Sequence, residues 1–305
     1  MTIKLKGTDA RQINETLFRL RKEGASASGQ VLTLVIDTPA DGSEAAMAEA
    51  REAGSLHPSR ILVAIRGLDN EDGLNAEIHT SSTATEVITL EFSGEVDRHA
   101  DSVLLPLLLP ELPVAIWWPT KAPADPNQCD LRSLTHRLIL DSSTAEDPIG
   151  AVRWLAGHHQ PGTTDLTWTR LTRWRALLVA ALDQSRSPVT SAEVVGPATS
   201  APSELLAAWL EMRLQVPVTR PEPDSDYPGL HAVHLSTQNG DITLRRLSRI
   251  DAVLTLPGQP DRPVALARRT TQQLLAEELM RLTGDAAFDA LMAHMATRQA
   301  GSGQA

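Results

Sequence analysis

The sequence contains few cysteine, lysine, tyrosine and phenylalanine residues. Its 305 residues include one cysteine, one tyrosine and three phenylalanines. The lone Cys129 excludes an intramolecular disulfide and any metal site built from several cysteines. Lysine occurs only at Lys4, Lys6, Lys22 and Lys121, so arginine supplies nearly all the positive charge. With a net charge of −10, the chain has no basic excess to offset phosphate repulsion, which argues against a nucleic-acid partner.

Long apolar runs and catalytic signatures are also missing. The apolar stretch Val103–Pro119 is shorter than the ~20 residues of a membrane helix, contains Glu111 and is broken by prolines. No signal peptide follows the start, where Lys4 comes before any apolar core. There is no glycine-rich phosphate loop, no Gly-x-Ser-x-Gly elbow and no recognisable histidine cluster for a metal. We therefore expect a cytoplasmic protein with no membrane segment, catalytic residue, metal or cofactor.

The stretch Val103–Pro119 is the most distinctive part of the chain. Its leucine-rich half is typical of a helix that stops at Pro110, and Pro113 then begins a short buried strand. Trp117 and Trp118 would point to opposite faces of that strand. One tryptophan can therefore enter the core while the other lies at the carboxyl edge of the sheet, where ligands and partners usually dock in α/β proteins.

Helical and strand patterns alternate along the chain, which predicts an α/β fold. Helices are predicted at 8–23, 43–56, 97–109, 148–158, 163–183, 203–214, 265–282 and 285–297. Strands are predicted at 31–36, 61–65, 76–80, 86–92, 113–118, 137–140, 189–195, 216–219, 233–236, 241–246 and 253–256. The order of elements repeats, and the two predicted hairpins, AEIHTSSTATEVITLEF and HAVHLSTQNGDITLRRL, are similar. We hypothesise an internal duplication that produces two similar mixed-sheet α/β domains, 1–160 and 161–300, before a flexible tail at 301–305.

One turn is a candidate site for a small ligand. Asp141, Ser142 and Ser143 follow a predicted strand and come shortly before a helix. Hydroxyl and free N–H groups at such a position can bind a phosphate. A polar strand-to-helix turn with helix capping explains the same residues, and both interpretations stay open.

Two further segments are candidates for contacts with a partner. His57 and Arg60, which are also possible anion- or ligand-binding residues, precede a predicted strand and therefore fall at the opposite edge of the sheet. There Arg60 would serve an ion pair or a partner carboxylate. Trp168, Arg170 and Arg175 lie on the predicted helix 163–183. Tryptophan and arginine are enriched at interface hot spots, although core packing explains the tryptophans equally well.

The segments HPSRILV, LLPLLLPELPVAIWWP, HRLILDSS, DLTWTRLTRWRALL and SELLAAWLEMRL occur in this order. In them the chain resembles the glucose-6-phosphate dehydrogenase assembly protein (OpcA) family. The resemblance implies a non-catalytic, cytoplasmic bacterial protein that binds glucose-6-phosphate dehydrogenase, supports its oligomeric assembly and raises its activity in the oxidative pentose phosphate pathway. It supplies no catalytic or ligand residues. The partner-binding residues predicted from the matched segments are Trp117, Trp118, Trp168, Arg170 and Arg175.

Two other functions fit the residues. One is a sensor that binds a sugar phosphate or nucleotide through the Asp141–Thr144 turn. The other is an enzyme whose site the sequence does not reveal. The family resemblance favours the assembly protein, and the single Cys129 excludes an internal dithiol switch of the kind associated with family members from photosynthetic bacteria.

Overall fold

The computed structural model describes residues 2–23, 29–54, 58–68, 71–79, 85–120, 122–123, 125–223, 229–281 and 283–302. The fold is α/β, with two mixed β-sheets. The strands are β1 (Thr2–Leu5), β2 (Leu32–Pro39), β3 (Ser59–Leu68), β4 (Gly73–His79), β5 (Glu86–Ser93), β6 (Val114–Trp117), β7 (Arg137–Leu140), β8 (Thr163–Asp165), β9 (Val189–Val195), β10 (Val218–Thr219), β11 (Ala232–Thr237), β12 (Ile242–Arg246), β13 (Asp251–Thr255) and β14 (Arg262–Ala265). The α-helices are α1 (Ala10–Lys22), α2 (Ala40–Gly54), α3 (Ala100–Leu104), α4 (Pro148–His158), α5 (Leu166–Arg170), α6 (Thr172–Ser185), α7 (Ala201–Leu214), α8 (Thr271–Met280) and α9 (Ala286–Ser302).

Packing divides the chain into two units, and unit 1 comprises Met1–Asp141, Gly162–Thr164 and Thr271–Gly284. Its sheet has the strand order β1-β4-β5-β3-β2-β6-β7-β8. The central strands β5, β3, β2, β6 and β7 are joined to one another by parallel pairings. Strands β2 and β3 are almost continuously apolar and buried, as expected for parallel strands covered on both faces. Helix α8 packs on α2 within this unit.

Unit 2 comprises Ser142–Pro161, Asp165–Thr270 and Asp285–Ala305. Its sheet has the order β10-β9-β11-β12-β13-β14 and is antiparallel except between β9 and β10. Helices α4, α7 and α9 pack against one another. Helix α4 begins at Pro148 because the Asp147 side chain accepts a hydrogen bond from the Gly150 amide, and Ser200 caps α7 in the same way.

The α/β class and the mixed sheets are confirmed, and three elements have the predicted bounds: β7, α4 and β9. The prediction divided the chain once, after residue 160, whereas both observed units are discontinuous in sequence. Residues near 163 belong to unit 1 because the Leu138 amide donates to the Gly162 carbonyl oxygen at 2.9 Å. Helix α8 belongs there because Glu278 pairs with Arg137 on β7.

The internal duplication is not confirmed, because the two sheets connect their hairpins differently. In unit 1 the hairpin β4–β5 joins β3 through its second strand, in parallel. In unit 2 the hairpin β11–β12 joins β9 through its first strand, in antiparallel orientation. The repeated order of elements thus corresponds to two different strand arrangements.

Three predicted helices are wrong in extent. Residues 163–165 form β8 rather than the start of a long helix, and the helix breaks at Leu171, whose amide bonds back only three residues to Trp168. The predicted helix 97–109 is two 3₁₀ segments around the short α3, with Pro106 in the second. The predicted helix 265–282 begins only at Thr271, because the chain before it forms β14 and a loop.

At the end of the chain, α9 extends to Ser302, and the rest of the predicted tail lies outside the described residues. Among the helices that the structure describes, none is long and apolar enough to cross a membrane.

Candidate functional site

The tryptophan pair at the end of β6 lies inside unit 1. Trp117 and Trp118 are both buried, so the prediction that only one enters the core is wrong. The Trp118 indole Nε1 donates to Asp37 Oδ2 at 2.9 Å at the carboxyl end of the parallel strands. Burial raises the pKa of Asp37, although Arg66 and the Trp118 hydrogen bond oppose that rise. The Trp118 side chain is therefore held inward by a partly buried carboxylate.

Arg66 organises the same end of the sheet. Its guanidinium contacts Asp97 and lies 3.1 Å from Asp130 Oδ2 and 3.9 Å from Asp37 Oδ2. The neighbouring Cys129 is partly buried, and burial raises the pKa of its thiol to about 11. The cluster sets three carboxylates against one guanidinium, and all of these contacts lie within the chain, which is typical of a structural network.

Trp168 is likewise a core residue, in unit 2. Its Nε1 donates to Asp285 Oδ2 at 2.9 Å, and the Arg175 guanidinium carbon lies 3.5 Å from the centre of its ring. Such a stacked cation is an attractive cation–π contact. Arg175 therefore covers Trp168, and both it and Arg170 remain only partly exposed.

The Asp141–Thr144 turn is tied to the start of α5. The amide of Ser142 lies 3.2 Å from both carboxylate oxygens of Asp165, and its hydroxyl also donates to Asp165. The Ser143 amide donates to Thr167 Oγ1 at 3.1 Å. Asp165 also caps α5 by accepting from the Thr167 amide at 2.7 Å. The amides that the predicted phosphate site would use are thus engaged by side chains of the chain itself.

Arg60 forms an internal ion pair, the first of the two predicted alternatives. It is buried, and its Nε donates to Glu86 Oε2 at 2.7 Å while Nη1 donates to the Leu107 carbonyl oxygen at 2.6 Å. Its predicted neighbour His57 lies outside the described residues. In the part of the chain that the structure describes, no three His, Cys, Asp or Glu side chains are grouped so that they could hold a metal ion.

The structure brings together a different set of residues, in a cleft of unit 2 with a volume of about 310 Å³. We call it the arginine cleft because six arginines line it: Arg170, Arg173, Arg246, Arg249, Arg268 and Arg269. Between them the wall is apolar, with Leu171, Trp174 and Leu266 among the lining residues. No acidic side chain is among the described lining residues.

Three chain segments meet at the arginine cleft. Arg170 and Arg173 flank the break between α5 and α6, where Leu171 ends the first helix. The other four arginines form two pairs: Arg246 ends β12 and Arg249 lies in the turn after it, while Arg268 and Arg269 lie in the loop after β14. The turn and the loop are joined by backbone bonds, from the Leu266 amide to the Ile250 carbonyl oxygen and from the Arg268 amide to the Arg249 carbonyl oxygen, both at 2.9 Å.

Hydrogen bonds from the arginines themselves hold the cleft in shape. Arg246 is buried, donates to the Leu266 carbonyl oxygen and lies 5.4 Å from the centre of the Trp174 ring. Arg173 Nη1 donates to the Ala267 carbonyl oxygen at 3.4 Å, and Arg269 donates to that of Thr169. Carbonyl oxygens thus orient the guanidinium groups of Arg173, Arg246 and Arg269 at the cleft.

Sequence reasoning named only Arg170 among these six. The arginines are spread over 100 positions, and only the fold brings them together. The local signals were the paired arginines in RRLSR, residues 245–249, and in ARR, residues 267–269. Such pairs are usually solvated faces of strands and loops, so they did not indicate a cleft.

The family models and the curated relative that match this chain all point to the same protein family. Residues 50–157 match the N-terminal domain of the glucose-6-phosphate dehydrogenase subunit family, and residues 161–292 match the C-terminal domain of the same family. A curated relative from Synechocystis sp., a putative OxPP cycle protein OpcA, is 25% identical over 198 residues. The aligned part covers 58% of this chain and 41% of that relative's length.

Among solved structures, an oxidoreductase from Sinorhizobium meliloti aligns over 90% of this chain and 88% of its own, with 11% identity and a TM-score of 0.43. That likeness is too low to bear on function. The two domain matches, by contrast, follow one another in the expected order and together cover most of the chain. The chain belongs to the glucose-6-phosphate dehydrogenase assembly protein (OpcA) family.

Proposed function

We propose that this protein is a non-catalytic assembly and activator protein that binds glucose-6-phosphate dehydrogenase, promotes its oligomerisation and raises its activity. The observation that carries the proposal is the match of both halves of the chain, in order, to the N- and C-terminal domains of one dehydrogenase-linked family. In this role the protein acts in the bacterial cytoplasm and supports NADPH supply by the oxidative pentose phosphate pathway.

The contact surface that we propose lies on unit 2, at the turn between β12 and β13. Leu247 and Ile250 are 50% and 60% exposed although they lie three residues apart in one turn. The turn is rigid, because Ser248 Oγ donates to Asp251 Oδ2 at 3.0 Å and the Leu247 amide donates to the Asp251 carbonyl oxygen at 2.9 Å. Single exposed apolar residues are common, but a fixed pair is a typical anchor for a partner.

Of the five partner-binding residues predicted from the sequence, only Arg170 belongs to the proposed contact surface. Trp117, Trp118 and Trp168 are buried, so they are placed to support the fold. Arg175 faces the Trp168 ring. Arg170 is partly exposed and borders the same cleft as the turn, so we keep it in the proposed contact surface.

The proposal is tested by mixing the purified protein with glucose-6-phosphate dehydrogenase from the same organism. Size-exclusion chromatography with light scattering should detect a complex. Steady-state kinetics should detect a higher kcat, a lower KM or a larger active oligomer. The protein alone should not reduce NADP⁺ with glucose 6-phosphate. Absence of a complex and of any kinetic effect at saturating concentration would refute the proposed function.

The contact surface has its own test. Replacing Leu247 and Ile250 together with serine should weaken binding at least about tenfold, or ~1.4 kcal/mol. The matched control is Val179→Ser on α6, which removes a similarly exposed apolar side chain, 47% accessible, outside the turn. Equal effects of the double variant and the control would place the contact surface elsewhere.

A further inference from the structure

We propose that unit 1 carries a second contact surface, which binds a segment of the dehydrogenase that combines an apolar side chain with carboxylates. The inference rests on the proposed function and deepens it. A chain with two contact surfaces can hold two dehydrogenase subunits, and the first one bound raises the effective concentration of the second. A second surface therefore gives the proposed promotion of oligomerisation a direct physical basis.

The second contact surface is centred on Phe18 of α1 and on Leu105, which follows α3. Their side chains are 69% and 58% exposed. The 3₁₀ turn Leu105–Leu107 packs on α1, and Asn14 Nδ2 donates to the Pro106 carbonyl oxygen at 2.8 Å. Phe18 lies one helical turn after Asn14 on the same side of α1. An exposed aromatic and an exposed leucine thus flank one packing contact.

The apolar surface continues along the proline–leucine stretch that is the most distinctive part of the sequence. Pro106 and Pro110 are exposed, and Leu108 and Leu109 are partly exposed. Leu107 between them is buried and anchors the stretch. Scattered apolar residues are ordinary on a protein surface, whereas a contiguous exposed apolar patch marks an interaction site.

Buried groups hold this stretch in place before a partner binds. The Arg60 Nη1 donates to the Leu107 carbonyl oxygen at 2.6 Å, and its Nε donates to Glu86 Oε2 at 2.7 Å. The Leu108 amide donates to the Leu105 carbonyl oxygen at 3.3 Å. A fixed surface loses less conformational entropy on binding than a mobile one, which raises affinity.

Positive charge borders the apolar centre. The last turn of α1 contains Arg19, Arg21 and Lys22, and Lys22 lies four residues after Phe18 on the same side of the helix. Arg21 lies 3.7 Å from the buried Glu86. Arg19 and Lys22 are exposed, and among the described residues their side chains have no ion-pair or hydrogen-bond partner. A partner that covers Phe18 therefore gains from carboxylates beside its apolar side chain.

Acidic residues near the surface do not cancel this positive charge. Glu15, three residues before Phe18, is paired with Arg11 at 3.0 Å. Glu111 is exposed but lies beyond Pro110, at the far end of the apolar stretch. A two-fold contact between two copies would oppose the surface to itself and bring like charges beside Phe18 together, which costs binding energy. An acidic segment of a different protein therefore fits better than a second copy.

The test uses the whole chain and dehydrogenase from the same organism. Light scattering after size-exclusion chromatography measures how many dehydrogenase subunits an assembly contains, and interferometry with immobilised dehydrogenase measures binding. The wild-type chain should produce a larger assembly than the enzyme forms alone. Phe18→Ser with Leu105→Ser should still bind through unit 2, but should need at least tenfold more protein to reach the same assembly.

A matched control separates this surface from exposed apolar residues in general. Met280 is also 69% exposed in unit 1, but it lies on α8, which packs on α2. Met280→Ser should change the protein concentration needed for assembly less than twofold. Circular dichroism melts confirm that the control and the double variant both fold.

A second pair of variants tests the charge. Arg19→Gln with Lys22→Gln should weaken assembly and make it less sensitive to added salt, because fewer charges remain to be screened. Arg51→Gln with Arg98→Gln removes two exposed arginines of unit 1 outside α1 and should do neither. Equal effects of the two pairs would overturn the charge complementarity, since they would reflect net charge alone.

The remaining outcomes distinguish this inference from the proposed function. If the wild-type chain binds no dehydrogenase, the proposed function fails and the inference fails with it. If the wild-type chain assembles the enzyme and the variant Phe18→Ser with Leu105→Ser does so equally well, only the inference is overturned. Complete loss of binding by that variant also overturns it, because one surface then accounts for the whole contact.

Self-association is the other occupant that the experiment detects. If the chain alone forms a dimer that the variant Phe18→Ser with Leu105→Ser dissociates, while enzyme assembly is unchanged, the surface binds a second copy. That result would overturn the proposed dehydrogenase contact and leave the proposed function standing.

Discussion

Removing the negative charge of Glu278 should strongly destabilise unit 1. Glu278 on α8 and Arg137 on β7 are only 3% and 1% exposed, and their Oε2 and Nη2 atoms are 2.5 Å apart. Arg137 Nη1 also donates to the Thr283 carbonyl oxygen at 2.9 Å. The substitution Glu278→Gln keeps the shape of the side chain but leaves the Arg137 charge buried without this counter-charge.

Breaking a buried ion pair in this way costs about 3–5 kcal/mol of folding free energy. That is a large part of the ~5–15 kcal/mol that stabilises an ordinary domain. For a unit of this size each kcal/mol lowers Tm by roughly 2–4 °C, so the expected fall in Tm is on the order of 10 °C. Hydrogen exchange should also be accelerated in α8, because the pair ties that helix to the sheet.

Urea denaturation and thermal melts measure the effect. The control is Glu277→Gln, one residue earlier, where a partly exposed carboxylate lies 3.7 Å from Arg281 and should contribute less than ~1 kcal/mol. Replacing both buried partners, Arg137→Met with Glu278→Leu, should recover most of the lost stability, because no unpaired charge remains. If Glu278→Gln resembles its control, the charge is solvated and the reasoning is refuted.

Three other perturbations have defined outcomes. Burial raises the pKa of Asp285, but hydrogen bonds from Trp168 and two amides outweigh it, so the pKa lies below its ordinary value of 3.8. The stability that Asp285 contributes should be complete above that value and be lost as pH falls through the lower folded pKa. Asp285→Asn should therefore be less stable than the parent chain near neutral pH, and this difference in Tm should disappear in acid melts. Asp165→Ala should lower the free energy of unfolding by about 2 kcal/mol or more, since it removes a helix cap and leaves the Ser142 donors unsatisfied, whereas a change below ~0.5 kcal/mol in urea titrations would contradict that role. Because burial raises the pKa of Cys129 to about 11, iodoacetamide should alkylate it far more slowly at pH ~8 than it alkylates the unfolded chain, and equal rates would contradict a thiol whose pKa is raised by partial burial.

Local patterns predicted individual elements well where the signal was short-range. Strands β7 and β9 and helix α4 were predicted with their observed bounds, because apolar runs, Pro148 and the Asp147 cap are visible in sequence. The break at Leu171 was not predicted, because Leu171, Trp174 and Leu178 keep helical spacing across it. All three side chains are buried. The apolar spacing therefore reflects which side chains face the core, and it gives no sign of the helix break at Leu171.

Long-range features could not be predicted in the same way. The amphipathic pattern of α8 indicates that the helix has a buried face, but not which sheet covers it. The candidate site depends on the same kind of information, since the segments 170–173, 246–249 and 266–269 meet only after the strands have paired. The sequence also could not predict that Trp117 and Trp118 are both buried, because tryptophan is common in protein cores and in protein interfaces alike.

The discontinuity of unit 1 has a consequence for synthesis on the ribosome. Its sheet begins near the start of the chain, but α8 and the Glu278 partner of Arg137 are made more than a hundred residues after β7. At ~5–20 residues per second, Glu278 follows Arg137 by roughly 7–30 s. During that interval the nascent unit lacks the carboxylate that pairs with Arg137 and the helix that covers α2. Unit 1 therefore stays incompletely folded, and accessible to chaperones and proteases, until α8 has been synthesised.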